Sequence, residues 1–179
     1  MGTYKGTGIV FLRSLLERYS HEAAFLAGLT PEEKDVYQKT LPISWVPIQQ
    51  VDALFIKAAA QLKPGASQDA GLRYIGEEMA KDNLKGLYRI LIKAFTISVI
   101  LKQAAKLWGV YHGQGVAKIA NQEEKQVDFV VEAYPDLPER FAESVSGYIG
   151  ATIAMSGAKE VRVNKEPNHS GWTWHVQWQ

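Results

Sequence analysis

Asn83–Gly115, NLKGLYRILIKAFTISVILKQAAKLWGVYHGQG, is the longest nearly uninterrupted apolar stretch of the chain. Leu84, Leu87, Tyr88, Leu91 and Phe95 recur at helical spacing, and so do Ile97, Ile100, Leu101, Ala104, Trp108 and Tyr111. A helix apolar over so much of its circumference is expected to be enclosed by other elements, with Lys102, Gln103 and Lys106 as its one watered stripe. Thr96 and Ser98 carry short hydroxyl side chains that favour caps over helix interiors. The spacing therefore predicts two consecutive helices, about 84–95 and 98–112. Lys93, Lys102, Gln103 and Lys106 interrupt the apolar run, which makes it a core helix pair and not a membrane span.

Upstream, the pattern is helical throughout. Thr7–Tyr19 places Leu12, Leu15, Leu16 and Tyr19 on one face, and Ser20 is the expected cap of a short helix ending at Gly28. Thr30-Pro31-Glu32-Glu33 combines a cap, a first-turn proline and a capping box, opening a short polar helix to Lys39 that reads as a surface bracket. Leu41–Pro47 is a stiff connector carrying Trp45. Pro47–Leu62 follows as a helix, then Gln68–Lys81 capped by Ser67, with Leu72, Ile75 and Met79 inward.

Downstream of Gly113-Gln114-Gly115 the period changes to alternation. Val116–Ala120 and the run Val127, Phe129, Val131, Ala133 predict two strands. Asp136–Glu139 starts a helix to about Ser156, in which Gly147 and Gly150 permit close approach to a sheet. Lys159–Glu166 and the row Trp172, Trp174, Val176, Trp178 predict two more strands, joined by the turn Pro167–Gly171. The fold class is α+β: a helical N-terminal half, 1–115, packed on a C-terminal antiparallel sheet of β-β-α-β-β order, 116–179, as one domain.

The bulk numbers narrow the function. A chain of 179 residues with 46% hydrophobic and 22% charged side chains is globular. A net charge of +1 gives no general attraction to nucleic acid or acidic lipid. Zero cysteines exclude disulfides and thiolate chemistry and fit a reducing cytoplasm, and with no secretory leader in the sequence a cytoplasmic location is expected. The histidines are His21, His112, His169 and His175, with no metal-ligand spacing among them. His21 and His169 read as solvated, and His175 as facing water opposite the tryptophan row. Adjacent glutamates do not converge on a helix, Gly113–Gly115 follows a helix where a phosphate loop would follow a strand, and no nucleophile elbow is present. The chain does not read as an enzyme. His112, beside Trp108 and Tyr111 at the end of the central helix, is the one place where a pocket is expected.

The element order, a helical half with a long helix pair and then β-β-α-β-β with a glycine-containing helix, resembles the haem-nitric-oxide-binding (H-NOX) fold. Vinyl-reductase-type ligand domains and trafficking (TRAPP) subunits share that superfamily, and Lys5-Gly6, Phe11-Leu12, the Leu41–Pro47 segment with Trp45, Leu107–Gly113 and Trp178 resemble a bacterial family of about this length. The resemblance implies a non-enzymatic sensory or signalling module that binds a hydrophobic small molecule. Trp108, Tyr111, His112 and Trp45 are its expected lining. A protein-interaction or scaffolding module, with a protein partner or a homodimer, is the alternative. Haem sensors of this fold hold iron by a histidine inside the helix before the sheet, and haem propionates by Tyr-x-Ser-x-Arg. Here that helix has its only histidine at the end, and Glu132–Arg140 keeps Tyr134 and Arg140 without the serine or the spacing. No cofactor is therefore expected, with haem through His112 as the remaining route.

Overall fold

The computed structural model describes residues 1–85 and 95–179. The expected helix 84–95 lies almost wholly outside the described residues. Seven helices are described: α1 Thr7–Arg18, α2 Glu22–Ala27, α3 Pro31–Lys39, α4 Ile48–Leu62, α5 Gln68–Asn83, α6 Ile97–Tyr111 and α7 Glu139–Met155. The strands are β1 Thr3–Lys5, β2 Trp45–Pro47, β3 Val116–Ala120, β4 Gln126–Glu132, β5 Arg162–Asn168 and β6 Gly171–Gln177. The α+β class and the β-β-α-β-β order are as the sequence reads. The four long strands form one antiparallel sheet in the order β3-β4-β6-β5.

Side-chain caps place three of the seven helix starts. Thr30 accepts from the Glu33 amide at 3.2 Å while Glu33 Oε2 accepts from the Thr30 amide at 2.7 Å, closing the capping box. Ser67 and Thr96 cap α5 and α6 through the amides of Ala70 and Val99. Ser20 departs from expectation. It takes a left-handed φ of 58°, and His21 occupies the cap position of α2 without a side-chain bond. α3 is more than a bracket: Tyr37 is fully buried against Phe25, ring centroids 5.0 Å apart, and its hydroxyl donates to Glu22 at 3.2 Å.

Two elements correct the sequence reading more deeply. The Leu41–Pro47 connector contains a strand, because β2 pairs antiparallel with β1, Tyr4 opposite Val46. Three-residue strands carry no usable period-2 signal, so only the pairing reveals them. α6 is not enclosed. Ile100, Leu101 and Trp108 are buried, but Lys102, Gln103, Lys106, Leu107, Gly109 and Val110 are exposed, because the helix lies over the β3–β4 side of the sheet and meets it with one face only.

α7 covers the same face of the sheet. Trp174 is fully buried and donates from Nε1 to Ala142 O at 3.2 Å and Ser146 Oγ at 3.1 Å, while Trp172 and Trp178 are half-buried and pack against the core. Gly147 serves a different contact from the one anticipated. A Cβ there would stand 2.0 Å from Arg73 O, and one on Gly76 would stand 1.8 Å from Ser144 O. The two glycines let α7 and α5 touch backbone to backbone, a helix–helix approach and not a helix–sheet one. Glu143, buried at that contact, accepts from Arg73 Nε at 2.8 Å and pairs with Lys165 at 3.2 Å. Pro167 extends β5 where a turn was expected. β5 is an edge strand, so the missing amide costs no ladder bond.

Candidate functional site

The end of α6 and the start of β1 meet at His112. Its amide donates to Trp108 O at 2.9 Å as the helix closes, and residue 112 then bridges to Tyr4 while the Gly113 amide donates to Thr3 O at 2.9 Å. The imidazole is thereby carried inward, 7% exposed. It stacks on Trp108, one helical turn earlier, at 3.7 Å and 3°. Tyr4, Phe141 and Tyr134 present edges to it at 4.8, 5.9 and 6.0 Å. Three elements, α6, β1 and α7, and the β4–α7 passage thus build an aromatic cage around one histidine.

Its polar atoms are poorly served. Among the described residues, His112 Nδ1 and the Tyr134 hydroxyl are buried without a hydrogen-bond partner. Burial lowers the His112 pKa to about 3, which keeps the ring neutral. Trp108 Nε1 is satisfied by Gln114 O at 3.1 Å, and the Tyr4 hydroxyl points at Met79 Sδ, 3.7 Å away. Close by, Asp52 on α4 faces the Phe141 amide in the first turn of α7, and among the described residues its buried Oδ1 has no hydrogen-bond partner. Burial pushes its carboxyl up to about 6, with Arg140 and that amide acting the other way.

The structure brings together Trp108 and His112 of the expected lining. Tyr111 is half-buried and packs on the core. Trp45 stands apart on β2, exposed, with Lys5 Nζ 4.5 Å from its ring centroid. Tyr4, Tyr134 and Phe141 complete the cage from distant parts of the chain. Only Tyr134 drew attention in the sequence, through the Tyr-x-Ser-x-Arg comparison.

A second cluster sits on the opposite face of the sheet. His175 on β6 bridges Asp128 on β4, Nδ1 to Oδ1 at 2.7 Å, and Glu166 on β5, Nε2 to Oε1 at 3.1 Å. Asn121 donates to the other Asp128 oxygen at 2.7 Å. Partial burial lowers the His175 pKa, but the two carboxylates outweigh it and hold the value above the ordinary one. A polar cleft of about 470 Å³ opens here, lined in part by Gln122, Gln126 and Gln177. Neither this cleft nor a second one beside Trp178 reaches Trp108. Among the described residues, no three His, Asp or Glu side chains converge to hold a metal ion.

No protein-family model matches the sequence, and no curated protein is matched. Solved structures are. The Fe(II) unliganded H-NOX protein of K. algicida superposes with TM-score 0.69 at 10% identity, over 98% of this chain and 96% of that one. An H-NOX protein of S. oneidensis in the Fe(II)NO ligation state gives 0.68 at 9%, over 98% and 99%. An oxygen-binding H-NOX domain related to soluble guanylate cyclases, in its oxygen complex, gives 0.62 at 12%, over 97% and 92%. The fold of this chain is H-NOX-like. The first two are described by their Fe(II), the third by bound oxygen, and a further H-NOX structure by haem distortion, which overturns the expectation of no cofactor.

The residues present fit haem at one point. Apart from Tyr111 in its last turn, the inward positions of α6 are Ile97, Ile100, Leu101, Ala104, Ala105 and Trp108, none of which carries an atom that binds iron. Arg140 is exposed. The donor chemistry that does fit is His112: a neutral imidazole with an unpartnered nitrogen among aromatic rings, placed after the helix and not within it.

Proposed function

We propose that this protein is a non-enzymatic sensory module that binds a planar hydrophobic ligand of the tetrapyrrole class, haem first among them, at the cage around His112. The observation that carries the reading is the unpartnered Nδ1 of a buried, neutral histidine. An unmet polar atom in a core costs about 1–3 kcal/mol. A protein that retains one beside a second, the Tyr134 hydroxyl, has a use for it. Trp108, Tyr4 and Phe141 supply apolar ring surface, and His112 supplies the single nitrogen that haem iron accepts. The H-NOX-like fold supports the same ligand class. Tyr111 belongs to the proposed lining, and Trp45 does not.

Haem reconstitution of the purified chain tests the proposal. The expected result is a Soret band that His112→Ala abolishes or shifts while the far-ultraviolet circular dichroism stays unchanged. Binding of metal-free porphyrin without a histidine-dependent band would keep the ligand class and remove the iron. Binding of neither would overturn the reading and leave the interaction-module alternative.

A further inference from the structure

The turn between α3 and β2 is held rigidly and shows its apolar side chains to water. Arg13 on α1 donates to Gln38 O at 3.0 Å and Thr40 O at 2.6 Å. Ser44 closes the turn twice: its Oγ accepts from the Leu41 amide at 3.2 Å and its amide donates to Leu41 O at 3.0 Å. The Gly6 amide reaches up to Ser44 O at 2.8 Å. Gly6 lies so close beneath that a Cβ there would stand 2.1 Å from Leu41 O. Yet Leu41, Ile43 and Trp45 are 58%, 76% and 45% exposed, with Pro42 exposed between them. A single exposed apolar residue is ordinary. Three within five residues, on a turn braced from three sides, form a patch that calls for a partner.

Cations stand beside the patch. Lys5 Nζ lies over the Trp45 ring, and Lys39 ends α3 next to the turn. Asp35, on the same helix, pairs with Lys39. A chain of net charge +1 feels no pull at a distance, so the attraction is local to this end.

We propose that the Leu41–Trp45 turn docks the protein on an anionic lipid bilayer surface. Leu41 and Ile43 enter the boundary between headgroups and acyl chains. Trp45 rests at the level where its amphipathic ring is favoured, and Lys5 and Lys39 meet lipid phosphates. A protein partner would need a pocket shaped to side chains standing off a convex tip, whereas a bilayer deforms around them. Apolar insertion and local cations are the two weak signals that together give stable surface attachment. The bracing bonds mean that docking orders no new backbone. Among the described residues no helix is long and apolar enough to cross a membrane, so the attachment is at the surface. This inference is independent of the His112 cage.

Co-sedimentation of the full chain with vesicles tests it. Phosphatidylcholine vesicles containing phosphatidylserine are expected to retain the protein, phosphatidylcholine alone to retain less, and added salt to release it. Leu41→Asp and Ile43→Asp should each lower partitioning about tenfold or more, with an unchanged melting temperature because both side chains stand in water. Lys5→Glu should erase the preference for phosphatidylserine. No partitioning, or equal partitioning of the aspartate variants, overturns the proposal. So does a concentration-dependent dimer that Ile43→Asp dissolves, which would give the patch to a second copy.

Discussion

His112 and His175 lie on opposite faces of one sheet and titrate in opposite directions. His112 is stacked on Trp108 with no charge to face, and burial alone drives its pKa to about 3. His175 is held between Asp128 and Glu166, whose hydrogen bonds and charges outweigh a smaller burial effect and raise its pKa. The residue type is the same, so the difference lies in what the tertiary structure puts within 4 Å. A polar atom in a core without a partner marks a place kept for something else. One clasped by two carboxylates marks a fastening between strands.

The contrast has consequences that can break it. The largest is Trp108→Ala, which removes the surface His112 stacks on and leaves a core cavity; the expected loss is about 3–5 kcal/mol in urea denaturation. Next is His112→Phe, which keeps the ring and deletes the unmet nitrogen. Stability at neutral pH should rise by about 1–2 kcal/mol. The histidine also penalises folding progressively as pH falls from its ordinary value near 6.5 to its folded value of about 3, and the phenylalanine variant should lose that acid sensitivity. If His112→Phe is destabilised instead, the cage does not hold an unmet atom and the contrast collapses.

Asp52→Asn probes the carboxylate beside the cage. A folded pKa raised to about 6 means that protonation favours the folded state, fully below about 4 and not above about 6. The variant should exceed the wild type by about 1 kcal/mol above pH 6, with the advantage fading as pH falls toward 4. The smallest effect belongs to His175→Ala. The raised pKa gives stability that is complete below about pH 6.5 and lost as pH rises through the folded value. Because the side chain is 39% exposed, solvent screening keeps the loss under about 1 kcal/mol, and it should disappear at alkaline pH. Urea midpoints of the four variants between pH 4 and 9 provide all of these comparisons.

What was legible follows the range of the interaction. Thr30, Ser67 and Thr96 cap helices because a hydroxyl three residues from an amide needs nothing else. Trp174 and Val176 are core because strand alternation puts them on one face. Trp108 and His112 were legible as a pair because one helical turn separates them. Ser20 was misread because a cap needs a backbone direction that its left-handed φ of 58° does not provide. Trp45 was misplaced because its position depends on β1 pairing forty residues away.

The sequence by itself determined the helical first half, the four long strands and helix α7 between them, and the end of α6 as the place to look. Periodicity and capping act within a few residues, so they are written locally. Only the tertiary structure decided what surrounds His112. Tyr4, Tyr134 and Phe141 reach it from β1, the β4–α7 passage and α7, and nothing in their spacing announces that they meet. The same holds for His175, whose two carboxylates sit on neighbouring strands brought into register by the sheet. Whether a histidine is left without a partner in a core or clasped on a surface is a property of packing, because burial and charge act through space and not along the chain.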